Sequence, residues 1–144
     1  MAKAYFLESA IIDTGIIYAL ADRTDLWHRK AADFVASFTG KLIVTITVVP
    51  EASYMLNTHL GTVAEHSFLT SLIEGGLTVE PCSVSDISRS LDIMGKYADA
   101  NFGLVDASVM AIAERLKITK ILTCDRRHFS LFRPKHCTGF ELYP

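Results

Sequence analysis

Short runs of aliphatic and β-branched residues alternate along this chain with stretches of helical spacing, and few architectures satisfy that alternation. Ala10–Asp13 reads as a first strand, after which Trp27, Ala31, Phe34, Val35 and Phe38 recur at helical spacing. Leu42–Thr47 is a second strand, continuously rather than alternately apolar, as expected for a strand covered on both faces. Pro50 suits the first turn of the helix that follows, and Gly75-Gly76 breaks the chain before a third strand at Leu77–Glu80. Val84, Ile87, Leu91 and Met94 mark one helix; Val105, Val109, Ile112 and Leu116 mark another. Lys120–Thr123 and Phe140–Tyr143 supply the last strands. Strand and helix in turn predict an α/β fold, a mostly parallel sheet with helices on both sides. Ligands of such sheets bind at the carboxyl ends of the strands.

No repeat or linker divides the 144 residues, so we expect one domain over residues 1–144 with a core of its own. Half the residues are hydrophobic and 21% are charged, which excludes a disordered tail and a charge-rich coiled coil. The three cysteines (Cys82, Cys124, Cys137) show no C-x-x-C spacing, which argues against a disulfide or zinc framework and fits a reducing cytoplasm. Lys3 and Ala19-Leu20-Ala21 mimic a secretory signal, but Glu8 and Asp13 interrupt its apolar region. No apolar run is long enough to span a membrane, and a cytoplasmic protein with no membrane partner is expected.

The informative signal is where carboxylates fall. Asp13 is the only charged residue in Ser9–Ala21, Glu51 the only one in Leu42–Leu56, and Asp106 the only one in Phe102–Ala113. Asp125 directly follows the Ile121–Cys124 run. Each has an ordinary local explanation: Asp13 and Asp125 as helix caps, Glu51 and Asp106 as first-turn residues favoured by the helix dipole. Those explanations leave the four unrelated. Burying a carboxylate without a positive partner is expensive, and no Lys or Arg sits beside the first three, so a shared cation explains them together. Hard oxygen ligands suit Mg²⁺ or Mn²⁺. Without metal, mutual repulsion should raise at least one of their pKa values.

Positive charge is also uneven. Residues 114–136 carry seven Lys or Arg against two acids, with His128 and His136 as further donors, a band suited to a polyanion such as RNA. The chain as a whole carries a formal charge of −2, so nucleic-acid binding must be local. The five histidines show no metal-ligand spacing such as H-x-x-x-H, and His28 is expected to be structural. Asp99, seven residues before Asp106, could approach the site. The Asp13-Thr14-Gly15 triplet imitates an aspartic protease, but it occurs once and is followed by a helical pattern. A haloacid-type phosphatase would need a second Asp where Gly15 stands.

Ile12-Asp13-Thr14, Pro50-Glu51, Gly103-Leu104-Val105-Asp106-Ala107-Ser108 and Leu122-Thr123-Cys124-Asp125-Arg126-Arg127-His128-Phe129 together resemble the PIN-domain ribonuclease family, and within it the toxins of type II toxin–antitoxin modules. The resemblance spans about residues 8–143. It implies a three-layer α/β/α sandwich with a central parallel sheet. It further implies an acidic quartet, here Asp13, Glu51, Asp106 and Asp125, holding Mg²⁺ or Mn²⁺, with Thr123 as a hydroxyl near the metal. The implied activity is metal-dependent hydrolysis of RNA, with Asp13 and Asp106 as direct ligands and Glu51 and Asp125 acting through water or at a second ion. A protein antitoxin is an implied partner. A mean hydropathy of +0.29 leaves apolar surface for it and for a homodimer. Two other readings stay open: a PIN-like nuclease of RNA processing or of DNA without an antitoxin, and a PIN-like domain that binds RNA or protein without cutting.

Overall fold

The computed structural model describes residues 8–144. Its elements are β1 (Ser9–Ile12), α1 (Thr14–Ala21), α2 (His28–Ser37), β2 (Lys41–Thr45), α3 (Val48–Leu60), α4 (Thr62–Ile73), β3 (Thr78–Glu80), α5 (Val84–Lys96), α6 (Leu104–Leu116), β4 (Lys120–Leu122), α7 (Arg126–Leu131) and β5 (Glu141–Tyr143). The strands form one sheet in the order β3-β2-β1-β4-β5, every neighbouring pair parallel. In β1, Ile11 lies in register with Ile43 of β2 and Ile121 of β4. Both helix groups needed to cover such a sheet are present: α1 packs on α2 and α3, and α3 on α4, while α5 packs on α6. This is the expected three-layer α/β/α sandwich with a central parallel sheet. The signal-like Lys3 lies outside the described residues, and no described helix is long and apolar enough to cross a membrane.

The core runs through the sheet centre and α6. Ala107–Ala113 are all buried, so this helix is enclosed on every side and small residues let it sit close. Ile11, Ile12, Ile121, Leu122 and Phe129 are fully buried beside it.

Two expectations are corrected. The second strand ends at Thr45 instead of Thr47, because the chain must turn into α3. Ile46 still donates its N–H to Glu80, but Val49 N–H already bonds back to Ile46. The helical region after Pro50 is two helices. Gly61, at φ 93°, receives the end of α3 by donating its N–H to Leu56 and Asn57 carbonyls, a conformation that favours glycine.

The helix expected from Val84, Ile87, Leu91 and Met94 is present as α5. Of the residues that marked it, Val84, Ile87 and Leu91 are 83%, 48% and 69% exposed, while Met94 packs against the core and Asp86, Ser90 and Ile93 are buried. The inward face is polar because α6 meets it with charge. Arg115 donates from Nε and Nη2 to both oxygens of Asp86, at 2.9 and 3.0 Å, and from Nη2 to Glu80. Arg89 grips Glu114 through two bonds of 2.7 and 3.0 Å. Ser83 and Asp86 also close a capping box at the start of α5. Asp86→Ala removes the cap partner and leaves Arg115 without its buried carboxylate. We expect a loss of about 3 kcal/mol in urea unfolding, and a loss below about 0.5 kcal/mol overturns this account of the α5–α6 contact.

Candidate metal centre

From β1 the chain runs outward to β2 and β3, then returns to lay β4 and β5 on the other side. The order reverses between β1 and β4, and a parallel sheet opens a crevice at the carboxyl ends of its strands at such a point. All four expected carboxylates lie on elements that start from this region or face it. Asp13 follows β1 directly and extends the ladder by donating its N–H to Leu122 at 2.9 Å. Asp125 lies three residues beyond Leu122, the last residue of β4. Glu51 is in the first turn of α3 and Asp106 in the first turn of α6.

The local explanations hold alongside this gathering. Asp13 caps α1 by accepting from Thr14 N–H at 2.8 Å. Asp125 caps α7 by accepting from His128 N–H at 3.0 Å. Each of the four acids therefore stands at a helix N-terminus, where unpaired N–H groups partly offset negative charge.

Hydroxyls fix the carboxylates further. Thr14 Oγ1 donates to Glu51 Oε1 at 2.6 Å, tying α1 to α3. Thr123 Oγ1 donates to Asp13 Oδ2 at 3.1 Å and accepts from Asp125 N–H at 2.9 Å, so one buried hydroxyl joins the two strand ends. Thr47, just before α3, shares a 2.6 Å hydrogen bond with Ser108, two residues beyond Asp106. That bond holds the starts of α3 and α6 together.

Electrostatics follow from the placement. Asp13 is 7% exposed, and burial, with the charges of Asp106 and Glu51 added, pushes its pKa up to about 6. The Thr14 N–H and the Thr123 hydroxyl oppose that rise. Asp106 is raised by burial, then by Asp125 and Glu51, with His128 pulling the other way. Among the described residues no Lys or Arg forms an ion pair with any of the four. Hard oxygens whose mutual repulsion is only partly offset fit a divalent cation.

His128 is the residue that spacing alone did not place here. Its Nδ1 lies 2.8 Å from Asp125 Oδ2 and 3.5 Å from Asp106 Oδ2, and the edge of its ring meets Phe102 at 5.2 Å. It was counted with the basic band, yet it sits inside the acidic group. The available signal was its position three residues after a helix-capping Asp. The basic band itself is divided. Arg115 is engaged by Asp86 and Glu80, and Lys120 by Glu8 and Glu141. Arg126 and Arg127, directly after Asp125, are exposed, and Arg126 donates to the Pro144 carbonyl. Asp99 is exposed in a 3₁₀ turn (Ala98–Ala100) and is not among the principal charges raising Asp13 or Asp106. His28 has the structural role expected of it, its Nδ1 lying 2.7 Å from the Ala19 carbonyl.

The fold and the sequence have relatives among known proteins. The model of the PIN domain family matches residues 10–133. Ribonuclease VapC26 of Mycobacterium tuberculosis is 35% identical over 134 residues, covering 93% of this chain and 99% of the relative. The crystal structure of VapC20 of Mycobacterium tuberculosis, a sarcin-ricin loop cleaving toxin, superposes with a TM-score of 0.82 at 18% identity, over 94% of this chain and 99% of that one. A toxin–antitoxin complex from Klebsiella pneumoniae has a TM-score of 0.66 at 17% identity, over 84% of this chain and 90% of that one.

The raised Asp13 gives the metal-free chain a pH signature. From pH 3.8 to about 6, folded Asp13 keeps a proton that the unfolded chain has released. Stability therefore falls as pH rises through that window, by about 3 kcal/mol from this group. Asp13→Asn lacks the group, so in EDTA its thermal midpoint should gain on that of the native chain between pH 4 and 6.5. Parallel curves for the two proteins sink the assignment of Asp13 as a buried, repelled carboxylate.

Proposed function

The chain belongs to the PIN-domain family, and on that premise we propose that it is a metal-dependent ribonuclease, the toxin of a type II toxin–antitoxin pair. The observation that carries this is the convergence of four carboxylates, from four apolar segments, at the switch point of a parallel sheet, in a chain 35% identical to a named ribonuclease. We assign Asp13 and Asp106 as direct ligands of Mg²⁺ or Mn²⁺, with Glu51 and Asp125 completing the site through water or at a second ion. A bound divalent ion supplies a more acidic water and a counter-charge for the phosphodiester oxygens.

The chain's own residues prepare that site. Thr123 fixes the Asp13 carboxylate and the Asp125 backbone together, and Thr14 fixes Glu51, so the ligand oxygens are aimed before substrate arrives. The reaction proposed is direct hydrolysis by water, with the Thr14 and Thr123 hydroxyls holding carboxylates in place. Exposed Arg126 and Arg127 suit contacts to the RNA backbone on either side of the scissile phosphate.

The antitoxin reading is supported by the kinship to a toxin and a toxin–antitoxin complex of the same fold. It is also supported by an apolar cleft of about 450 Å³ lined by residues including Ile17, Leu20, Val35, Leu56, Phe68 and Leu77, a surface for an apolar partner segment. A homodimer is the proposal for the exposed stripe of Val84, Ile87 and Leu91 on α5. Sedimentation equilibrium should give twice the chain mass, and polar replacement of Val84 and Leu91 should return a monomer. A monomeric native chain overturns the dimer.

The nuclease itself is tested with total RNA and Mg²⁺, Mn²⁺ or EDTA. The native chain should cut only with metal, and Asp106→Asn should cut at least about 100-fold more slowly with its circular dichroism unchanged. Equal cleavage by the two proteins removes the proposal.

A further inference from the structure

The geometry points to His128 as a nitrogen ligand of the metal held by Asp106 and Asp125, which makes the site take a first-row ion such as Mn²⁺ in preference to Mg²⁺. This rests on the metal site proposed above and deepens it. His128 is placed by its own helix: it is the third residue of α7, its backbone N–H bonds Asp125 Oδ1 at 3.0 Å, and Phe102 meets its ring at an interplanar angle of 78°. The ring cannot swing away without breaking the packing against Phe102.

Its Nδ1 is buried, although the side chain as a whole is 25% exposed, and among the described residues it meets only the Asp106 and Asp125 carboxylates, neither in well-aligned hydrogen-bond geometry. Yet Asp125 Oδ2 is only 2.8 Å away. A nitrogen so close that still fails to donate is misaligned with that oxygen, because the ring aims Nδ1 beside the carboxylate rather than at it. The oxygen of Asp106 lies 3.5 Å away on its other side, and the donor atoms of the three residues all lie within 4.8 Å of one another. Donors at adjacent corners of an octahedral ion with bonds of about 2.1 Å stand about 3 Å apart, and opposite donors about 4.2 Å. The two distances from Nδ1, 2.8 and 3.5 Å, are close to those of adjacent donors.

The donor set then decides the ion. Mg²⁺ is met by oxygen and gives up water reluctantly, so an imidazole gains it little. First-row transition ions accept imidazole alongside carboxylate, and affinity for a site with nitrogen rises along that row. Replacing one oxygen ligand by His128 nitrogen therefore tilts the site away from Mg²⁺.

The test uses the purified full chain, Mn²⁺ alone and no RNA. Pulsed electron paramagnetic resonance of the Mn²⁺-loaded native chain should show ¹⁴N coupling from a directly bound nitrogen, and His128→Gln should lose it. Calorimetry should show Mn²⁺ binding weakened by about tenfold or more in His128→Gln, with Mg²⁺ affected much less. Absence of nitrogen coupling in the native chain, or failure of Mn²⁺ to bind, overturns the inference. So does coupling that survives in His128→Gln, which assigns it to another nitrogen. Equal weakening of both ions overturns it too, since His128 would then only position Asp125. An uncoupled native spectrum overturns the inference by itself, and should His128→Gln misfold, His128→Asn carries the same comparison. Because no cleavage is measured, an inactive chain that still shows the coupling would sink the ribonuclease reading and leave this one standing.

Discussion

Like charges held close in a desolvated crevice repel, and the structure around this site is arranged to hold four of them together. Asp13 and Asp106 carry the cost directly, both pushed above the usual carboxylate range first by burial and then by their neighbours. Three devices offset it. Each acid stands at the start of a helix, where free N–H groups supply partial positive charge. Hydroxyls of Thr14 and Thr123 donate to Glu51 and Asp13. The imidazole of His128 sits between Asp106 and Asp125. None of these neutralises the group, so it keeps its affinity for an added cation.

The parallel sheet is what makes such a gathering cheap. Asp13 needs only to follow β1, and Asp125 only to follow β4, for the two to meet, since those strands are neighbours with Ile12 opposite Leu122. Glu51 and Asp106 arrive on helices whose first turns are pinned by the Thr47–Ser108 bond. A substitution at any of these hydroxyls frees a carboxylate or a helix start that the hydroxyl now holds.

How much of this the sequence carried follows from which interactions are local. The strands and most helices were legible because apolar periodicity is a property of a few consecutive residues. The four carboxylates were legible for a related reason: a charge inside an apolar run is visible without knowing the fold. His128 was not, because its meaning depends on Asp106, which is distant in sequence, and its spacing to Asp125 matches no common ligand motif. The inward face of α5 was hidden in the same way. Val84, Ile87 and Leu91 report a helix, but the buried face is set by Arg115 and Glu114 of α6, and periodicity cannot register a partner.

The distribution of cations completes the physical picture. The chain has 14 Lys and Arg for 16 acids, enough to pair nearly all of them. Arg115 and Arg89 bind acids between α5 and α6, and Lys120 binds Glu8 and Glu141 at the far, amino end of β4. Those pairs stitch helices and strand ends at places where the chemistry is absent. Arg126 and Arg127 come nearest to the site along the chain, but both are exposed, Arg126 donates to the Pro144 carbonyl, and among the described residues no Lys or Arg pairs with the four acids. A guanidinium inside the crevice would relieve the repulsion, and by doing so would displace the ion that the carboxylates can otherwise hold. The unpaired charge of the quartet is therefore as much a result of where the Lys and Arg residues are tied down as of where the acids are placed.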